Sequence, residues 1–300
     1  MEGTVATSTA AQKAARPGGF RNLVQAASRW PLIPGGVLTV LFVVAIFTPW
    51  LAPHPPLKAT IGDRFAPPMW YAEGDSNHIL GGDTVGRDVL SRLMYGARVS
   101  LLVAAIALVT GTIVGTSLGL VAGYFGGLID EVIMRVVDVW FGLPFVLVAL
   151  VIAVILRPSM TTMMALLALF TWAGFVRNVR AEVLSLRTRD YVTIAKVEGA
   201  SATRIMLVHI LPGVINIVLV LASLRAGQLI LTEAFLSFLG AGIPPPTATW
   251  GSMIADGRSY LTNAWWVSVF PGVAIGMTVM SLNFLGDWLR DKFDPRLRQL

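Results

Sequence analysis

The chain has 300 residues, of which 55% are hydrophobic and only 13% charged, and its formal net charge is +6. With a mean hydropathy of +0.71 it carries more apolar surface than a soluble fold of this length can bury, so lipid is the solvent for most of it. The absence of cysteine excludes disulfide and thiol chemistry and places nothing by itself.

A bilayer core about 30 Å thick needs roughly 20 apolar residues per helix. Lipid satisfies no backbone hydrogen bond, so each long apolar run is expected to be helical. A basic segment over residues 1–30 (Lys13, Arg16, Arg21, Arg29) leads into a first span at 31–52, built on the uncharged run from Leu32 to Leu51. That run is roughly twice the apolar length of a secretion signal and has no small-residue cleavage site, so an uncleaved anchor is expected. Residues 53–97 are rich in Pro, Gly and polar side chains and are expected to cap one face of the membrane domain. A second span is expected between Val99 and Ile129. A third and a fourth, from Val139 to Leu156 and from Ser159 to Val176, are parted by Arg157-Pro158. The fifth runs from Leu211 to Leu236, interrupted by Arg225 and Glu233, and the sixth from Leu261 to Gly286. Between them, residues 237–260 include Pro244-Pro245-Pro246, which no helix interior accepts. The expected fold is all-α and integral to the membrane with six transmembrane helices, five of them forming one domain over 98–288 before a tail at 289–300. Trp30, Trp50, Trp140, Trp265 and Trp266 fall at the expected span ends, as an interfacial aromatic belt would. Arg135, Asp138 and Asp287 read as anchors at the same interface.

With the amino terminus inside, the interior segments hold fourteen Lys/Arg and the exterior ones seven (Lys58, Arg64, Arg87, Arg92, Arg98, Arg157, Arg258). This asymmetry puts both termini in the cytoplasm and explains the net charge without nucleic acid. No Gly-Lys dipeptide occurs, so a phosphate-binding P-loop is excluded, and His54, His78 and His209 form no metal-protease pattern. Gly115-Thr116-Ser117-Leu118-Gly119 fits the nucleophile elbow formally, but that motif needs a strand turning into a helix and here falls inside a span. The same glycines explain themselves otherwise. Gly111, Gly115, Gly119, Gly123 and Gly127 recur every four residues, a small-residue stripe that lets two helix backbones approach in lipid.

Between the fourth and fifth spans, about 182–211, lies the one long interior connection. Val192, Ala195, Val197, Ile205 and Val208 recur at roughly helical spacing and Gly199 interrupts them as a C-terminal cap would, implying two short amphipathic helices joined at that glycine. This segment resembles the signature of bacterial ABC importer membrane subunits: Glu-Ala-Ala, three residues, Gly, nine residues, Ile-x-Leu-Pro. Ala195, Gly199, Leu211 and Pro212 stand at its positions, whereas Thr193, Ile194 and His209 depart from it. Further motifs from His78 to Ser100, Ala122 to Gly127, Glu233 to Gly240, Trp250 to Arg258 and Leu285 to Arg296 are similar to the dipeptide/oligopeptide permease family, in its DppC/OppC-type subunit, over roughly residues 30–298.

The resemblance implies a type I (MetI-like) permease fold in a bacterial inner membrane. Its partners would be a second homologous permease subunit, two ATPase subunits and an exterior solute-binding protein. This chain would bind no cofactor, ATP and Mg residing on the ATPases. It also implies that a helix at about 192–199 docks in a groove on one ATPase. The residues expected to carry that contact are Tyr191, Val192, Thr193, Ala195, Lys196, Glu198, Gly199, Ala200, Ser201, Leu211 and Pro212. Arg225 and Glu233, charged inside a span, are expected on the translocation path or a subunit interface. Eight residues separate them, about 80° around and about 12 Å along a helix, too far to pair. A secondary transporter would instead show paired broken helices or midplane acids for ion coupling.

Overall fold

The computed structural model describes residues 32–293; the expected amino-terminal tail with Trp30 and the last seven residues lie outside them. Among the described residues the fold is helical throughout, with nine principal helices and one isolated β-bridge between Gly82 and Asp88. Five helices are long and apolar enough to cross a bilayer, and a sixth crossing is made by a bent pair.

The first helix, α1 (Leu32–Leu51), buries only Leu38, Ala45 and Thr48 and turns Val40, Phe42 and Ile46 outward, as a peripheral lipid-facing helix should. Thr48 donates to the Met94 carbonyl at 3.3 Å. Helix α2 (Val89–Phe125) begins ten residues before the expected Val99. Its first turns lie under the 52–88 segment, and Arg92 there is 3% exposed, so charges that argued against a span are shielded by protein. Asp88 caps it, accepting from Ser91 N. It stops at Gly126, φ +67°, four residues short of the expected end. At about 1.5 Å per residue α2 is about 55 Å long, and the two connecting regions sit at its opposite ends.

The expected third span differs most. Helix α3 (Gly127–Gly142) and helix α4 (Phe145–Leu156) meet at 86°. The break falls at Leu143-Pro144, because Pro144 has no N–H to donate and disfavours helical conformation before it. Asp138 and Arg135 lie on α3. Arg177 Nη2 reaches Asp138 at 2.8 Å, Arg135 pairs with Glu131 on the exposed face at 3.7 Å, and Arg180 grips Asp130 with two nitrogens. Asp138 is thus one of two carboxylates tying α3 to helix α5 (Met160–Leu186). Ser159 caps α5, accepting from Thr162 N at 3.0 Å.

Helix α6 (Asp190–Val197) is followed by helix α7 (Ala202–Phe238), which runs unbroken from the connection into the fifth span. The expected second short helix is therefore the first turns of α7. They pass through a π-turn at Ile205–Ile210, which accommodates Pro212 and its missing N–H without ending the helix. Helix α8 (Trp250–Gly257), within the expected exterior segment, starts on a reciprocal capping box between Thr249 and Ser252. Helix α9 (Trp266–Phe293) starts five residues later and ends seven later than its apolar run. Trp266 is 4% exposed and donates to the Gly82 carbonyl at 3.1 Å, and Trp265 donates to the Tyr71 hydroxyl at 3.0 Å. These two tryptophans pin the 52–88 segment, a use that their place at a span end did not disclose.

Candidate functional site

Helices α2 and α5 form the spine on which the other parts are mounted. A Cβ placed on Gly111 would come within 2.6 Å of Thr171 Cβ, on Gly115 within 2.5 Å of Phe175 Cβ, on Gly119 within 2.8 Å of Val179 Cβ and on Gly123 within 2.7 Å of Val183 Cβ. Gly127 lies past the end of α2 and meets nothing. Ser117 sits mid-helix, without the strand-to-helix turn that exposes a nucleophile.

At the far end of this spine, Arg187 donates to the Gly123 carbonyl at 2.9 Å and the chain turns into α6. Gly199 has φ +82°. Its N–H bonds the Lys196 carbonyl at 3.1 Å, and the Ala200 N–H bonds the Ala195 carbonyl at 3.0 Å. This is a Schellman cap, and its left-handed residue is why glycine stands there. Ser201 then caps α7, accepting from Arg204 N. Val192 and Ala195 are buried against Leu120, Val179, Val183, Ile205, Ile210 and Val214, so the inner face of α6 is joined to α2, α5 and α7 at once. Lys196 Nζ lies 5.6 Å above the Tyr124 ring. The residues singled out from the sequence thus divide. Val192 and Ala195 hold the helix to the bundle, Ala200, Ser201, Leu211 and Pro212 shape the turn and the start of α7, and Tyr191, Thr193, Lys196, Glu198 and Gly199 are exposed.

Two residues missed by that reading complete the outer face. Tyr191, Ile194 and Val197 are 45%, 57% and 84% exposed. They recur every three residues and form an apolar stripe on one side of the helix. Val197 and Val208 share the helical spacing of Val192, Ala195 and Ile205, but both are exposed. The i, i+3, i+6 spacing of Tyr191, Ile194 and Val197 was the signal available.

The two intramembrane charges have opposite settings. Glu233 is fully buried. Ser100 Oγ donates to its Oε2 at 3.0 Å and Ser237 Oγ to its Oε1 at 2.8 Å. Ser100 Oγ in turn accepts from Trp250 N, so Glu233 ties α2, α7 and α8 together inside this chain. Arg225 is half-buried. It donates to Gln228 Oε1 at 2.5 Å and lies against Gly174 of α5, where a Cβ would meet its Nη2 at 2.8 Å. Among the described residues no carboxylate pairs with it.

At the other end of α2 a charge cluster unseen in the sequence locks the 52–88 segment down. Asp83 contacts Arg92 directly and accepts from Arg87 Nε at 2.6 Å. Asp256 of α8 approaches both arginines at 3.5 Å. Burial disfavours the Asp83 charge, yet the Arg87 backbone N–H, the Arg92 guanidinium, the Val85 N–H and the Arg87 charge outweigh it and hold the carboxyl below its ordinary range. A lowered folded value means the stabilisation is complete above the unfolded pKa of about 3.9 and is lost as pH falls through the folded value. Limited proteolysis of the 52–88 segment should therefore be constant from neutral pH down to about pH 4 and accelerate below it. Asp83→Asn should remove that acid step. It should also cost about 3 kcal/mol or more at neutral pH, because Arg92 stays buried with less to pair it.

Comparison with known proteins accords with this architecture. The family described as binding-protein-dependent transport system inner membrane component matches residues 115–299. The dipeptide transport system permease protein DppC of Escherichia coli K12 is 48% identical over 263 residues, covering 88% of this chain and 87% of that protein. The di/tripeptide transport system permease protein DppC of Pseudomonas aeruginosa is 40% identical, covering 88% of both chains. The dipeptide transport system permease protein DppC of Bacillus subtilis is 38% identical, covering 88% of this chain and 81% of its own.

Proposed function

This chain belongs to the family of inner membrane components of binding-protein-dependent transport systems, and from that premise we propose that its cargo is a di- or oligopeptide and that α6 is where ATP-driven motion enters it. It is a multi-pass permease subunit of an ABC importer, without catalytic function of its own. ATPase subunits and a solute-binding protein complete the system.

The observation that carries the proposal is the two-sidedness of α6. Its outer stripe of Tyr191, Ile194 and Val197 suits the groove of a partner, as helix-in-groove docking requires. Its inner face is packed against three membrane helices through Val192 and Ala195. Packed interiors transmit displacement instead of absorbing it, so a partner that moves α6 moves α2, α5 and α7 together. The stoichiometry proposed is one second, homologous permease and two ATPases, with nucleotide and Mg bound only on the latter. The charge asymmetry puts α6 and both termini on the cytoplasmic side and the 52–88 segment with α8 outside. Peptide is the cargo named for the relatives, and the nearly equal lengths of the chains favour the same class here.

A guanidinium inside a membrane is costly unless paired, and no carboxylate among the described residues pairs with Arg225, so its counter-charge is taken to come from a bound molecule or a partner. We assign the partner as the carboxylate of the translocated peptide. Reconstitution of the full complex in liposomes tests both statements. Labelled dipeptide should enter only with ATP, solute-binding protein and ATPases present; transport by this chain alone would make it a secondary transporter. Arg225→Gln should leave the complex intact and lower uptake by about tenfold, the scale of one lost charge-assisted contact. Loss of the complex instead would put the partner carboxylate on the second permease.

A further inference from the structure

Where α3, α4 and α5 meet, the break at Leu143-Pro144 leaves a cavity of about 150 Å³. Its walls are Trp140 and Phe141 at the end of α3, Leu143 at the bend, Phe145 and Val148 on α4, and Phe170 on α5. The Phe145 and Phe170 rings meet with centroids 4.1 Å apart. At the edge, the Arg177 guanidinium lies 4.5 Å from the Phe141 ring centroid. No wall residue is charged. An apolar cavity of about this volume stays dry and takes a guest the size of benzene, so a single aliphatic or aromatic side chain fits.

The groups beside the cavity decide among apolar guests. Phe170, Gly174 and Asn178 follow one another along α5 at four-residue spacing and share a face of that helix. The Arg225 guanidinium rests on Gly174, with Nη2 2.8 Å from where a Cβ would stand. Asn178 Nδ2 donates to the Gly174 carbonyl at 2.8 Å. Residues four apart on a helix have Cβ atoms about 5–6 Å apart, so the cation and the aromatic cavity are one helical turn from each other. A lipid acyl chain matches the cavity but offers nothing to the guanidinium. A short peptide matches both. Its backbone advances about 3.3–3.6 Å per residue, so a carboxylate held on Arg225 brings the adjacent side chain within reach of the Phe170 ring.

We propose that this cavity is a specificity pocket on the translocation path, taking the side chain of the peptide residue next to the carboxylate that Arg225 holds. The proposal rests on the peptide-importer reading and deepens it. A mostly apolar pocket with a few fixed polar groups is the usual form of a small-ligand site. Val148 and Phe170 set the bulk the pocket accepts, and a glycine leaves it empty.

The full complex is reconstituted in liposomes, and uptake of labelled glycylglycine and glycyl-leucine is measured with each at a concentration that saturates the solute-binding protein. Val148→Trp adds an indole to the cavity wall and so fills the space. Uptake of glycyl-leucine is expected to fall at least about tenfold relative to that of glycylglycine. An unchanged ratio, with both dipeptides still imported, overturns the proposal alone. A wild-type complex that imports neither overturns the peptide reading and the proposal with it. Should the variant import neither, its occupant is identified directly. A photoreactive p-benzoylphenylalanine replaces Leu143, a wall residue 48% exposed, and the complex is irradiated during ATP-driven turnover of labelled glycyl-leucine. Capture of the dipeptide supports the pocket; capture of only lipid or the second permease, or of nothing, overturns it.

Discussion

Replacing Ile194 and Val197 together by aspartate is expected to abolish ATP-driven uptake while leaving the chain folded. Both side chains stand on the outer face of α6, 57% and 84% exposed, so within this chain the change removes little packing and buries no charge. In a groove on a partner the same change places two carboxylates where apolar surface is desolvated. Central apolar anchors of an interface are worth about 2 kcal/mol or more each, about thirtyfold in affinity, so the double variant should lose its ATPase on co-purification. Gly199→Trp is a weaker test. A Cβ there meets no atom within 4 Å, but the +82° φ makes any other residue strained, so loss of the ATPase could follow from a spoiled cap as easily as from a blocked contact. Ile194→Asp with Val197→Asp keeps that cap. Retention of the ATPase with normal uptake by the double variant would move the contact away from α6.

Much of the fold was legible because lipid imposes a plain rule, one apolar run to one helix, and five runs obey it. The departures have local causes. The third run held Pro144 a few residues after its start, and apolarity outweighed it in reading a single span, whereas the missing N–H turned the chain by 86°. Helix α2 was cut short at Val99 because Arg92 and Arg98 look expensive in lipid; Arg92 is in fact shielded by Asp83 and Asp256, residues 9 and 164 positions away. No window of sequence contains that cluster. The α6 segment was legible through Gly199, whose spacing from Pro212 and capping role are local. Its outer stripe was not, since Val197 and Ala195 are equally apolar and only the tertiary packing of α6 on Ile205 and Ile210 decides which one faces inward. Glu233 and Arg225 show the same limit. Both are charges in one span, yet Ser100 and Ser237 enclose the first and Gln228 alone attends the second.

The glycine stripe allows a second large effect to be forecast from contact geometry alone. Leucine at position 115 would start with a Cβ 2.5 Å from Phe175 Cβ and even closer to the Trp172 carbonyl oxygen. Phe175 is 1% exposed and the carbonyl belongs to the backbone of α5, so neither can give way. The helices would have to separate along the whole seam from Gly111 to Gly123, because the three neighbouring glycines are also in contact with α5. Overpacking in a core that can relax costs about 1–3 kcal/mol. A rigid obstacle should exceed that range, which is a large part of the roughly 5–15 kcal/mol that holds a typical domain together. Gly115→Leu is therefore expected to yield aggregated chain on extraction. Gly36→Leu on α1, where a Cβ meets nothing within 4 Å, should extract as the wild type does. Thermal melting in detergent compares them. Equal melting temperatures would mean that α2 and α5 do not depend on close approach, and the rigid spine proposed to carry α6 motion to the far end of the molecule would lose its basis.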